Sequence, residues 1–109
     1  MPAYMIVTAK IADRDAFIAG YGVAAAALVE KFGGQYVLRG PGAQMLEGDV
    51  GATDWGGASM VISQWPTKDA ALAFWNSPEY AEARKLREGL ADCQVLLIEA
   101  PMINAASHG

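Results

Sequence analysis

The chain has 109 residues, 8 basic against 12 acidic side chains, one Cys, one His and 53 % hydrophobic residues. That length holds one domain, taken as residues 3–100 with a tail at 101–109, and leaves no room for separate cofactor and substrate modules. A net charge of −4, with Lys and Arg scattered from Lys10 to Arg87, excludes the clustered basic surface that nucleic acid demands.

Cys93 is alone and so forms no intrachain disulfide, and His108 has no companion at metal-ligand spacing. Met1-Pro2-Ala3-Tyr4 lacks the basic and then apolar pattern of a signal peptide, so a reducing, cytoplasmic setting is expected. The longest uncharged run, Ala16 to Val29, contains two Gly and falls short of the ~18 apolar residues of a membrane span. No Gly-rich phosphate loop, nucleophile elbow or His cluster is present, and neither cofactor nor metal is expected.

Ala3 to Lys10 reads as a strand by its β-branched and aromatic content. Asp13 can then cap a helix whose first turn carries Asp15. Phe17, Tyr21, Leu28 and Phe32, with Ala24 and Ala25 between them, fall within one arc of that helix, the width of a core-facing stripe. Gly20 and Gly22 weaken it and predict a kink or a close backbone approach. Gly33-Gly34 ends it.

Gln35 to Arg39 is a second strand, with Arg39 on the side of Val37, broken at Gly40-Pro41-Gly42. Gln44 to Glu47 either extends it or starts an edge piece. Residues 48–57 are the loosest stretch. Ala58 to Trp65 is the third strand, closed by Pro66. Thr67 can cap a helix over Lys68 to Asn76. Ser77-Pro78 is a fresh cap with Pro at the first helical position, and the new helix should run to about Leu90. Cys93 to Glu99 is the fourth strand.

The order β-α-β-β-α-β is the ferredoxin-like pattern, an α+β fold with a four-stranded antiparallel sheet and helices on one face. Such a sheet alternates apolar and polar residues when its other face meets water. Here Tyr4 and Ile6 oppose Met5 and Val7, Met60 and Ile62 oppose Val61 and Trp65, and Leu96 and Ile98 oppose Val95 and Leu97. A second apolar face needs a cover. Sheet-to-sheet packing of two copies into a barrel-like homodimer is expected, the alternative being the chain's own loop 48–57 and tail.

Particular residues add a resemblance. Tyr21, the run Gly33-Gly34-Gln35-Tyr36-Val37-Leu38-Arg39-Gly40, Leu46-Glu47-Gly48, Trp65-Pro66 and Trp75-Asn76-Ser77-Pro78-Glu79-Tyr80 resemble the domain of unknown function 1330 family, within the dimeric α/β-barrel superfamily. The resemblance spans about residues 3–100 and implies the ferredoxin-like dimer but no established reaction. Gln64-Trp65-Pro66 stands where the family often has Glu-Phe-Pro, and residues 53–57 lack its Arg before the third strand. The wider superfamily includes cofactor-free monooxygenases, isomerases and haem enzymes, so membership alone decides no function.

The chemistry then rests on few polar side chains. Arg39, at a strand end beside a Gly-Pro-Gly turn, suits a bidentate grip on a carboxylate. Glu47 is either its structural ion-pair partner or a general base. Tyr80, Arg84 and Arg87 share a helical stripe beside the apolar arc of Ala83, Leu86 and Leu90; they line a cleft or form a snorkelling flank. Ser77 adds a donor at the helix start. Tyr21 is a core tyrosine with one buried hydrogen bond or a proton donor to substrate. Trp65 and Trp75 read first as packing, Trp65 being also a candidate ligand contact, and Cys93 reads as buried and inert.

The expectation is a small homodimer with a pocket between sheet and helices for a small anionic or carbonyl-bearing organic molecule. In it Arg39 orients the ligand, Tyr21 or Tyr80 donates a hydrogen bond, Ser77, Arg84 and Trp65 line the site, and Glu47 serves as base if chemistry occurs. The rivals are a cofactor-independent monooxygenase or isomerase, and a non-catalytic interaction module in which Arg39 and Glu47 lock the turn. Neither nucleic acid nor membrane is an expected partner.

Overall fold

The computed structural model describes residues 1–44, 46–47, 58–101 and 103. The loop expectation for 48–57 and the position of His108 lie outside the described residues, as does most of the tail. Strand β1 is Ala3–Ile11, β2 Gln35–Ala43, β3 Ala58–Trp65 and β4 Ala91–Glu99. Helix α1 is Arg14–Phe17, α2 Val23–Lys31, α3 Lys68–Trp75 and α4 Pro78–Lys85, and a π-helical segment, Ile18–Gly22, joins α1 to α2.

All strand pairs are antiparallel in the order β2-β3-β1-β4, the ferredoxin-like arrangement. The helix starts follow from three side-chain caps. Asp13 accepts from Ala16 N at 3.2 Å, Thr67 from Ala70 N at 3.1 Å and Ser77 from Tyr80 N at 3.0 Å, each satisfying an orphan N–H of the first turn. Gly33, at φ +92°, turns the chain out of α2 in the left-handed conformation open to Gly.

One sheet face carries Met5, Ser63 and Leu97 in register, with Ala3, Trp65, Phe74, Tyr80 and Val29 completing the core beneath the helices. The other face is apolar too, and it is open. Ile6 pairs with Leu96 and Ile62, and Tyr4 with Ile98; Leu96 is 67 % exposed and Ile98 52 %. No helix among the described residues is long and apolar enough to cross a membrane.

Three local features depart from the simple periodic reading. The expected break at Gly40-Pro41-Gly42 is absent, and β2 continues to Ala43. It can do so because β2 is an edge strand, where a Pro without an N–H is tolerated, and Gly42 takes φ +81° at an irregularity between Gly40 and Ala43. A bulge between Tyr36 and Leu38 also shifts the register, so Tyr36 pairs with Ser63 and Arg39 with Val61. Arg39 therefore stands on the face of Tyr36, toward the helices.

The chain after Pro78 is helical only to Lys85, short of Leu90. Leu86, Arg87 and Glu88 donate to the carbonyls three residues back, so the helix tightens and then stops at Gly89, φ +76°. Strand β4 accordingly begins at Ala91, opposite Ile11, two residues before Cys93. Leu86, placed by periodicity in the apolar arc, is 48 % exposed. The Gly20 and Gly22 region is not regular α-helix. It widens into the π turn that carries Tyr21.

Candidate functional site

Between the helix-bearing sheet face and the helices lies a cavity of about 430 Å3. Val7, Val61 and Cys93 form its floor, while Phe17, Tyr21 and Tyr80 close it from the helical side. A mostly apolar concavity with a few convergent polar groups is the usual form of a small-molecule site.

At its inner side the Tyr21 and Tyr80 hydroxyls are 2.7 Å apart. Arg87 Nη1 donates to Tyr21 Oη at 3.3 Å, and its guanidinium lies 5.1 Å from the centre of the Tyr21 ring. The rings of Phe17 and Tyr21 lie 5.1 Å apart, and Phe74 packs 4.4 Å from Tyr80. Burial pushes the Tyr21 phenol well above the ordinary tyrosine range; Tyr80 reinforces the shift and Arg87 opposes it. Tyr21 is thus a protonated hydrogen-bonding group at neutral pH, unsuited to act as a base.

On the β2 and β3 side the polar groups are cationic or hydroxylic. Arg14 Nη2 donates to Ser59 Oγ at 2.9 Å, tying the start of α1 to the start of β3. The Arg39 guanidinium stacks 5.4 Å from the centre of the Tyr36 ring. Burial raises the Tyr36 phenol, and Arg39 counters it. Arg14, Ser59, Tyr36 and Arg39 all border the cavity.

The expected site residues divide. Tyr21, Tyr80 and Arg39 come together around one cavity. Trp65 does not border it: the ring is fully buried against Gly34 and Phe74, and its indole N–H donates to Ser63 Oγ at 2.9 Å. Ser77 is buried and committed twice, donating to Phe74 O at 2.8 Å and accepting from Tyr80 N. Arg84 lies over Trp75, 4.9 Å from the ring centre, on a second and more open cavity of about 500 Å3 that it shares with Arg87 and Asp92. Glu47 is exposed and borders neither cavity, and no ion pair joins it to Arg39 among the described residues.

Cys93 is half-buried rather than buried and touches both cavities. Burial raises its thiol pKa, and the nearby Arg87 pulls the other way. Arg14 and Ser59 escape a reading of the sequence because 45 residues separate them. Arg87 was visible only as part of a helical stripe with Tyr80 and Arg84; its contact with Tyr21, 66 residues away, was not.

The strand order and the helices on one face of the sheet define a ferredoxin-like α+β protein. The family model described as "Domain of unknown function (DUF1330)" matches residues 2–101, so the chain belongs to that family. Among solved structures it is similar to a protein of unknown function from Rhodopseudomonas palustris, with 24 % identity, 94 % of this chain and 84 % of that chain covered, and a TM-score of 0.69. The cofactor-independent oxygenase SnoaB from Streptomyces nogalater matches at 12 % identity over 95 % of this chain and 97 % of its own, TM-score 0.66. A protein from Bacteroides fragilis, described as dimeric, of unknown function and ferredoxin-like in fold, matches at 17 % identity over 91 % and 96 %, TM-score 0.59. At these identities the likeness is one of fold. No curated protein matches the chain.

Proposed function

We propose that this protein binds a small, mostly apolar organic molecule carrying an anionic or carbonyl group, in the cavity between sheet and helices, as a cytoplasmic homodimer. The cavity carries this reading: its size suits a one- or two-ring compound, and its polar groups are mainly guanidinium and hydroxyl groups, with no carboxylate among the described lining residues, set in apolar walls. Arg39 orients the ligand, since it borders the cavity and no carboxylate neutralises it among the described residues. The open apolar face supports the dimer, as does the description of the Bacteroides fragilis neighbour.

Thermal shift with benzoate tests the binding reading. Benzoate raises the Tm of the wild type and leaves that of Arg39→Ala unmoved; equal shifts in both remove Arg39 from the site. A second reading, cofactor-independent oxygenation, is favoured by the Tyr21–Tyr80 pair in a cavity whose fold is shared with SnoaB. Oxygen uptake with electron-rich phenols tests it, and its absence across such a series returns the protein to binding alone.

A further inference from the structure

Hydrogen-bond arithmetic at the Tyr21–Tyr80 pair specifies the ligand further, resting on the cavity reading above. Two phenols bring two protons. One occupies the 2.7 Å bond between them. Arg87 contributes donors only, and it already fills one lone pair of Tyr21 Oη. Whichever tyrosine donates to the other, one hydroxyl proton remains, and among the described residues no acceptor takes it. Around it stand Phe17, Phe74 and Val7, with the Tyr36 phenol and the Cys93 thiol also lining the cavity but making no hydrogen bond to the pair. That proton is available to the cavity, where a ligand oxygen can accept it.

We infer that the Tyr21–Tyr80 pair, backed by Arg87, presents a single donor to the cavity, and that the ligand meets it with a proton-free oxygen: a carbonyl, an enolate or a phenolate. Burial disfavours the phenolate of Tyr21, so that phenol keeps its proton. The guanidinium on the far side of Tyr21 makes the pair a better donor to a partially negative oxygen. The anionic group and the acceptor oxygen are thereby assigned to different walls. Arg39 stands on β2, and the tyrosine pair bridges the π segment and α4.

The probes are acetophenone and α-methylstyrene, which share a shape and differ in C=O against C=CH2. In the wild type the ratio of their affinities favours the ketone roughly tenfold more than in Tyr21→Phe/Tyr80→Phe, the effect of about one buried hydrogen bond. Each single Phe variant keeps one free hydroxyl proton and keeps most of the preference. A ratio unchanged in the double variant overturns the inference.

The infrared carbonyl stretch of acetophenone bound to the wild type gives a check that needs no variant. It falls below its value in hexane if a donor is present, and an unshifted band overturns the inference while leaving the cavity reading intact. Failure of both probes to bind overturns the cavity reading, and the donor assignment with it.

Discussion

The hydroxyls of Tyr21 and Tyr80 meet at 2.7 Å across 59 residues of sequence, joining the π segment of the first helical region to α4 over the sheet. This contact has a consequence for stability at high pH. Burial raises the Tyr21 pKa in the fold, whereas in the unfolded chain it stays near 10.0. Below that value both states are protonated and the contribution is complete. Above it the unfolded chain binds fewer protons than the folded one, so stability falls as pH rises. Urea midpoints measured at rising alkaline pH should therefore drop in the wild type and drop less steeply in Tyr21→Phe. A residual slope is expected from Tyr36, which burial raises as well.

Two adjacent glycines should fail for different reasons. A Cβ on Gly34 would lie 2.8 Å from carbons of the Trp65 ring, which is fully buried and has nowhere to move. Gly34→Ala should cost about 1–3 kcal/mol by overpacking. A Cβ on Gly33 meets nothing within 4 Å, but its φ of +92° is strained for any L side chain, so Gly33→Ala should cost ~1–2 kcal/mol. Trp65→Phe should partly rescue the first variant and leave the second alone. A double-mutant cycle by urea denaturation separates them.

Ser77 holds α3 to α4 by accepting from Tyr80 N at 3.0 Å and donating to Phe74 O at 2.8 Å. Ser77→Ala removes a cap inside a buried junction and should lower stability by about 1–2 kcal/mol. Because the same cap starts the helix that carries Tyr80, the variant should also weaken acetophenone binding. Calorimetric unfolding and a ligand titration of one preparation measure both.

Much of the architecture was legible from local chemistry. Asp13, Thr67 and Ser77 marked the helix starts, and strands apolar on both sides, such as Tyr4 to Val7, announced a sheet with two apolar faces. The site was only partly legible. Tyr21, Tyr80 and Arg39 border one cavity, but their orientation depends on irregularities that a fixed periodicity does not contain. A bulge after Tyr36 turns Arg39 toward the helices, the π turn sets Tyr21, and three-residue hydrogen bonding past Lys85 brings Arg87 to the Tyr21 hydroxyl. Trp65 and Ser77 looked available because an aromatic ring and a hydroxyl look alike in a core and in a site. Their packing partners, Gly34 against the Trp65 ring and the Phe74 carbonyl three residues before Ser77, decide the matter.

The exposed sheet face makes the oligomeric prediction direct. Leu96 and Ile98 are neighbours on one face of β4, 67 % and 52 % exposed in the isolated protomer. Sedimentation equilibrium of the wild type should give twice the 11.5 kDa protomer mass, and Leu96→Lys/Ile98→Lys should give the protomer mass itself. A wild type that sediments as a single protomer at micromolar concentration removes the dimer.

The cavity itself is tested most directly by crystals grown with saturating 4-acetylbenzoate, which carries both a carboxylate and a carbonyl. The expected result is ligand density between sheet and helices, with the carboxylate on Arg39 and the acetyl oxygen within hydrogen-bonding distance of Tyr21 or Tyr80. Density at another place on the molecule, with the cavity holding water alone, would contradict the assignment of this cavity as the binding site.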